Sequence, residues 1–339
     1  MTPFLLTLIA DPQTKTPLKL KNAVYDGGLI VSGSLVAENG NEYPIVNGIP
    51  LFVKNKDSAS VESFGDEWNF FNFIDFKVQW LNHTVKNTFG STDYFKDKII
   101  VDAGGGSGCQ TKWFLESGAK HVILLELSHS VNDVVKKNLA GFSNVDVVQC
   151  SIDQPPIFNA SIEGIVYCHN VIQHTPSVEK TAAALWGTVA KGGELVFNCY
   201  PLNDQGLLRW IRFHLIYRNF RRVLSRMPFK LLLAYVNFVS MLRLIPLFGD
   251  LLEKLYIVVQ GDVPRIEGEN LSKRLKRRFK AAQLLTFDYY GSHSFQHHKS
   301  DFEILKLALS LQNNANKIHN LDEYFKRPQP IGCALRLSK

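Results

Sequence analysis

The sequence predicts an α/β fold built on a doubly wound, mostly parallel sheet, and three observations predict it. Five short apolar runs recur between positions 98 and 200, with helix-length stretches between them. The first run ends in a glycine turn, Asp102-Ala103-Gly104-Gly105-Gly106-Ser107-Gly108. A single acid, Glu126, closes the second run.

The composition allows such a fold. The 339 residues are 45% hydrophobic and 20% charged, which excludes wholesale disorder and collagen-like or mucin-like chains and supplies a sizeable core. At ~100–200 residues per domain, the length means one large domain with a satellite, or two domains. Five cysteines, Cys109, Cys150, Cys168, Cys199 and Cys333, are odd in number and show no C-x-x-C spacing. Neither a disulfide framework nor a cysteine zinc site is indicated, and a reducing, cytoplasmic compartment is expected.

Residues 1–55 read as a small β module. Short β-branched runs alternate there with turn signals such as Asn47-Gly48. The opening MTPFLLTLIADP has no basic residue before its apolar run, so it reads as a strand rather than an export signal. Residues 54–62 are a polar linker. From 63 to 95 the aromatics Phe64, Trp68, Phe70, Phe71, Phe73, Phe76 and Trp80 cluster, which predicts helix packed on the next domain. The sheet core is expected over 63–204, in the runs KIIVDAGGG, HVILLEL, NVDVVQC, EGIVYCHN and GELVFNCY.

A basic, apolar insertion follows at 205–280. Between 205 and 260 nine Lys/Arg face only Asp250 and Glu253, which matches the +7 net charge of the whole chain. The longest uncharged apolar run, 231–242, is twelve residues, short of the ~20 that span a bilayer. Residues 281–339 are expected to return to the core through a helix and a strand.

The glycine turn carries the chemistry. Glycines let the backbone approach a ligand where the first strand ends. Glu126, 22 positions after Gly104, is placed to accept both hydroxyls of a ribose. A dinucleotide fingerprint opening at Gly104 would need glycine where Cys109 stands, and no Gly-Lys-Ser/Thr is present for a P-loop. Asp102 at the turn suits a cationic or amino-bearing ligand better than a phosphate. S-adenosylmethionine, with its adenosine, sulfonium and α-amino group, fits. A purely structural glycine turn is the competing reading.

At these residues the sequence resembles the class I S-adenosylmethionine-dependent methyltransferases. The resemblance extends over about 63–202: NVIQHTP is similar to the Gly-Val-Leu-His-His-Thr segment after the fourth strand, and VAKGGELVF to the Lys-Pro-Gly-Gly turn before the fifth. It implies a Rossmann-like, mostly parallel seven-stranded sheet. It also implies a cofactor site in which Asp102, Gly104, Gly106 and Gly108 wrap the methionine part and Glu126 holds the ribose. Ser151 and Ile152 would lie beside adenine, and His169 and Asn170 would approach the sulfonium. Two departures stand out: Ser151 replaces the usual acid, with Asp153 two residues on, and Glu163-Gly164 replaces Phe-Asp.

The amino-terminal segment YPIVNGIPLF resembles the end of small zinc-ribbon domains that precede or activate some methyltransferases. Asp11, Thr14, Val36 and Asn39 stand where those carry cysteines, so this copy is expected to be metal-free. SFGDEWNFF and TFDYYGSHSFQHH resemble stretches of two-part bacterial methyltransferases.

A general base is needed only for a hydroxyl or protonated-amine acceptor. His174, His297 and His298 are the catalytic candidates, and Asp288, Tyr289 and Tyr290 the substrate-contacting ones. The competing reading makes each a surface or satisfied core residue. His293, His297 and His298 lie close together, but no carboxylate pairing fixes a metal site, and none is expected. The insertion is read first as a lid, second as a lid that also touches an anionic membrane, and last as a nucleic-acid surface, since Leu, Phe and Ile dominate it.

The function expected is methyl transfer from S-adenosylmethionine to a small or lipid-carried metabolite. The acceptor is the expected partner, without nucleic acid, in the cytoplasm or peripheral to the membrane. A noncatalytic, degenerate methyltransferase acting as partner or scaffold is the alternative. A nicotinamide oxidoreductase is disfavoured by Cys109.

Overall fold

Four short runs rich in β-branched and turn residues pair as an antiparallel sheet in chain order: Lys19–Asp26 (β1), Leu29–Val36 (β2), Glu42–Val46 (β3) and Ile49–Pro50 (β4). They belong to a computed structural model that describes residues 1–53, 59–202, 204–260, 263, 265–291, 293–312, 317–326 and 333–339.

The five apolar runs are the strands Ile99–Ala103 (β5), His121–Glu126 (β6), Val145–Gln149 (β7), Ile165–Cys168 (β8) and Glu194–Phe197 (β9). With Leu335–Ser338 (β10) they form one six-stranded sheet in the order β10-β9-β8-β5-β6-β7. All neighbours run parallel except β10, which is antiparallel to β9. A seventh strand is not among the described residues. The β7 edge is covered instead by the chain leaving β4: Leu51 bridges Gln149 in parallel, and Phe52 N–H donates to the Gln149 carbonyl at 2.8 Å.

Both faces of this sheet are covered, which is why β6 and β8 are buried throughout. One face gathers Ile100, Val122, Leu124, Tyr167 and Val196 with Trp80, Phe95, Trp113 and Phe114. The other gathers Val101, Ile123, Leu125, Val166 and Phe197 with Leu5, Ile30, Leu35 and Tyr43 of the amino-terminal segment. The small antiparallel sheet therefore shares a core with the large one.

One local expectation changes. The opening run is not a strand. Pro3–Leu6 is a helical turn because Pro3 sits at its first position and the Thr2 side chain accepts from Leu5 N–H; only Ile9 and Ala10 make isolated bridges. Asp11 is fully buried. Its carboxylate accepts from Thr14 N–H (2.8 Å), Thr14 Oγ1 (3.0 Å), Gln13 N–H (3.0 Å) and the Tyr43 hydroxyl (2.8 Å). Burial opposes ionisation, yet these bonds hold its carboxyl below the ordinary value.

The chain divides into two units: residues 1–200 with 295–339, and residues 201–294. The second is helical, with Leu207–Ile211, Arg212–Tyr217 and Arg218–Leu224 in succession, then Phe229–Leu242, Phe248–Lys254 and Leu271–Tyr290. Val239, Leu252, Val258 and Ala282 pack at its centre with Tyr235 and Leu242. Leu271–Tyr290 is capped by the Asn270 side chain and runs unbroken past 280, so residues 281–294 belong to the helical unit rather than to the returning core segment. No helix among the described residues is long and apolar enough to cross a membrane.

Candidate functional site

The sheet order puts the carboxyl ends of β7, β6, β5 and β8 side by side. The residues following them therefore meet at one edge, where open α/β sheets bind ligands. β5 runs into the glycine turn there. Gly104, Gly106 and Gly108 have φ of 85°, 56° and 77°, a region that L side chains rarely adopt. Two of these glycines are also sterically required. A Cβ on Gly104 would stand 2.3 Å from Val171 Cγ1, and one on Gly106 2.9 Å from the Trp68 ring.

Glu126 clasps the turn. One carboxylate oxygen accepts Gly106 N–H at 2.9 Å and the other accepts Ser128 N–H at 2.9 Å. Ser130 Oγ donates to the Gly106 carbonyl at 3.1 Å. Gly104 N–H is tied to the Leu125 carbonyl at 2.7 Å, so the turn is anchored on β6 from both sides. Burial raises the Glu126 carboxyl above its ordinary value, against the hydrogen bonds from Ser128 and Gly106.

Asp102, the fourth residue of β5, is buried and accepts from Thr111 Oγ1 at 2.6 Å. Thr111 lies in the first turn of the helix Cys109–Glu116 that leaves the glycine turn. Burial pushes the Asp102 carboxyl up to about 7. Thr111 pulls the other way, and the nearby Glu126 charge adds to the rise.

After β7, Ser151 Oγ donates to an Asp153 carboxylate oxygen, and Ile152 is buried. A carboxylate therefore lies within hydrogen-bond reach of the Ser151 hydroxyl. After β8, His169 stacks on Tyr167 at 5.7 Å and its Nε2 lies 3.3 Å from Thr84 Oγ1. Asn170 has φ of 57°, held by a reciprocal pair with Asn198: its N–H donates to Asn198 Oδ1 at 2.6 Å and Asn198 Nδ2 donates back at 2.7 Å. All nine expected cofactor-binding residues therefore sit on the carboxyl ends of β5–β8 or just beyond them.

The three candidate histidines all lie in the first unit. His174 ends the short turn Ile172–His174; its Nδ1 lies 3.3 Å from the Phe295 carbonyl, and its ring meets Phe64 and Tyr200 edge-on at 5.3 and 5.6 Å. His297 N–H donates to the Gln173 carbonyl at 2.9 Å, and its Nε2 lies 3.0 Å from the Thr175 carbonyl. The His298 ring is 6.1 Å from Tyr200. His174 and His297 gather around residues 172–175, and Tyr200 lies beside both His174 and His298. A neutral His174 bound through Nδ1–H would carry its basic lone pair on Nε2, and a neutral His297 bound through Nε2–H would carry it on Nδ1.

Asp288, Tyr289 and Tyr290 lie in the helical unit and are buried there. The Tyr290 hydroxyl donates to the Tyr256 carbonyl, and burial raises it far above an ordinary phenol. The Tyr289 carbonyl accepts from Arg221 Nη1 at 2.8 Å and from the Tyr217 hydroxyl at 3.4 Å. Asp288 Oδ1 is 3.9 Å from His293 Nε2. Within that unit these are interior residues.

Trp68, Thr84, Thr111, Val171 and Asn198 are parts of the site that sequence reasoning missed. Only Trp68 had a signal, as a member of the aromatic cluster. The others are ordinary residues until the fold sets them against Gly104, His169, Asp102 and Asn170.

A parallel sheet with a buried carboxylate clasping a glycine turn at its carboxyl edge defines the nucleotide-binding class of α/β domain. Within it, residues 101–197 match the family model described as "Methyltransferase domain". Over this segment the chain is similar to methyltransferase domains. The chain is also similar to protein arginine N-methyltransferase 1 of Oryza sativa, in both the indica and japonica subspecies, at 30% identity over 106 residues. That stretch is 28% of this chain and 26% of the relative, so the chain spans about a quarter of the length of the curated relatives it matches.

Among solved structures, an S-adenosylmethionine-dependent methyltransferase from Mesorhizobium loti is 21% identical over 32% of this chain and 50% of that one, with a TM-score of 0.30. A complex of the Haloferax volcanii Trm112 methyltransferase activator with a methyltransferase is 16% identical over 44% of this chain and 66% of that one, with a TM-score of 0.36.

Proposed function

We propose that the chain transfers the methyl group of S-adenosylmethionine to a small or lipid-carried acceptor. The observation that carries this reading is the glycine turn 104–108, clasped by the buried Glu126 and adjoined by the buried Asp102. Cofactor supplies an electrophilic methyl on a sulfonium, and the protein's task is to align the acceptor and exclude water.

In this reading Glu126 turns its remaining lone pairs to the ribose hydroxyls while holding Gly106 in place. Asp102, once ionised, offers a negative charge to a cationic ligand. Ser151 and Asp153 together face the adenine amine, the hydroxyl standing in for the lost acid. His174 Nε2 or His297 Nδ1 takes a proton from a hydroxyl or ammonium acceptor, a service typically worth ~10²–10⁴-fold. The Asn170–Asn198 pair fixes the backbone at the mouth of β8, where a methyl acceptor would enter.

Isothermal titration tests the cofactor half. S-adenosylmethionine is expected to bind, and Glu126→Gln to weaken it roughly 10–150-fold, the worth of a charged hydrogen bond of about 1.5–3 kcal/mol. Binding of NAD with no heat from S-adenosylmethionine would overturn it. Product release followed by mass spectrometry, on amine, hydroxyl and lipid-linked acceptors and an arginine peptide, tests the acceptor half. Tight cofactor binding with no methylated product from a broad acceptor panel would favour the partner role instead.

A further inference from the structure

The helical unit carries a surface that includes none of the candidate site residues. From 205 to 249 the chain has eight Lys/Arg and no Asp or Glu. In the middle of this acid-free stretch lies the helix Phe229–Leu242. Its buried residues are Leu232, Val236, Val239 and Ser240. Leu231, Ala234, Phe238, Met241 and, just past the helix, Ile245 are exposed at spacings of three, four, three and four, which is one stripe of a helix.

The stripe is large and uncharged. Leu231, Phe238, Met241 and Ile245 are 60, 57, 55 and 48% exposed, and the chain continues through Leu247 at 84%. A stripe of this size that stays in water marks an interaction surface.

Its ends are electrically different. Lys230, in the first turn of the helix, and Arg222 and Arg226, in the chain leading into it, are exposed. At the carboxyl-terminal end Arg243 is buried and paired with Asp250 at 2.9 Å and Glu253 at 2.6 Å, so its charge is met inside the unit.

We propose that this face seats on an anionic lipid surface. The helix would lie in the plane of the interface, its apolar stripe among the acyl chains and Arg222, Arg226 and Lys230 at the headgroups. The stripe asks for an apolar partner, and the acid-free stretch around it asks for a negative one; an anionic membrane is both. A second copy of the chain would bring two acid-free, basic stretches together. A nucleic acid would satisfy the cations and leave Leu231, Phe238 and Met241 in water. Fourteen residues cannot span the bilayer, so the helix rests on it.

This proposal stands apart from the methyl-transfer reading, and its test needs no catalysis. Full-length protein is sedimented with vesicles of phosphatidylglycerol mixed with phosphatidylcholine, and with vesicles of phosphatidylcholine alone. Binding is expected to the first at low salt, to fall as salt rises, and to be at least tenfold weaker to the second. Because the stripe is exposed, Phe238→Ser/Met241→Ser should leave circular dichroism unchanged while weakening binding roughly tenfold or more.

Arg222→Gln/Arg226→Gln/Lys230→Gln should weaken binding to anionic vesicles and flatten the salt dependence. Equal, poor binding to both vesicle types would overturn the proposal, as would anionic binding that survives Phe238→Ser/Met241→Ser. A dimer in sedimentation velocity that this double variant dissolves would give the face to a second copy instead.

Discussion

Asp102 makes a demand on pH. Its carboxyl ionises near 7 in the folded chain against an ordinary 3.8, because burial penalises the charge more than Thr111 favours it. The sign follows from proton counting. Between those two values the folded chain holds a proton that the unfolded chain has shed, so this group's contribution to stability falls as pH rises from about 4 to about 7 and is level above that. A cationic cofactor reverses the preference, because it favours the ionised form. The ionised fraction rises from about 0.1 at pH 6 to about 0.5 at pH 7, so S-adenosylmethionine affinity should rise about fivefold over that unit. In Asp102→Asn the affinity should be lower and this rise absent; titration calorimetry at the two pH values reads both. A rise that persists in Asp102→Asn would move the titration to another group. Asp102 and Glu126 were legible in the sequence because each ends an apolar run, so strand geometry alone puts both at one edge. Thr111 was not, and Trp68 showed only as one of an aromatic cluster, since their contacts are made by tertiary packing and no local pattern records which helix will lie over a turn. Ser151 and Asp153 were both noted in the sequence, but not the side-chain bond that joins them.

The glycine turn puts a similar demand on an element, and here steric and conformational costs can be separated. Gly104→Ala places a Cβ 2.3 Å from Val171 at a φ of 85°. Overpacking of this kind costs about 1–3 kcal/mol, and the left-handed backbone adds about 1–2 kcal/mol. Urea unfolding should show a loss within the sum of those ranges. Adding Val171→Ala should recover the steric part alone, so the double variant stays below the parent. Full recovery would mean the backbone bears no strain. A second element is held by a reciprocal cap. Ser300 Oγ accepts Glu303 N–H at 3.2 Å, and Ser300 N–H donates to the Glu303 carboxylate at 2.8 Å, starting the helix Asp301–Leu311. Ser300→Ala should cost about 1 kcal/mol in the same assay. At this scale the sheet strands were the most legible feature, because buried parallel strands are continuous apolar runs and β5–β9 are such runs. The opening segment misled for a local reason: its apolar residues suit a strand, but Thr2 and Pro3 are a helix start, and the cap decides. The end of the insertion was placed too early because Leu271–Tyr290 changes from basic to aromatic near 280, a change of partners along one helix rather than a break in it.

Across residues 1–200 with 295–339, two sheets read as separate modules in the sequence share one core. Nothing local could have shown this. The small sheet's residues alternate as an independent module's would, and the linking contacts join positions more than a hundred apart. Thr2 N–H and Oγ1 donate to the Asp146 carboxylate at 2.7 and 2.5 Å, and His121 Nε2 lies 2.9 Å from it. The β7 edge is closed by Leu51 and Phe52 of the amino-terminal chain. A shared core has a thermodynamic signature. Leu5 is fully buried in the cluster that also holds Val101, Ile123 and Leu125. Leu5→Ala should cost about 2–5 kcal/mol, the range for a buried leucine truncation. The loss should appear in both sheets together, because neither can lose its side of the cluster alone. Hydrogen exchange resolved by peptide would read this. Amides of β2 and β3 and amides of β5 and β6 should lose protection by the same free energy. If β2 and β3 alone lost protection while β5 and β6 kept theirs, the amino-terminal sheet would be a separate folding unit resting on the methyltransferase domain. The glycine turn would then owe nothing to residues 1–53. With a common core it does: a chain lacking them would expose Val101, Ile123 and Leu125, and the β5–β6 pair that Glu126 and Gly106 bridge would be weakened at its base.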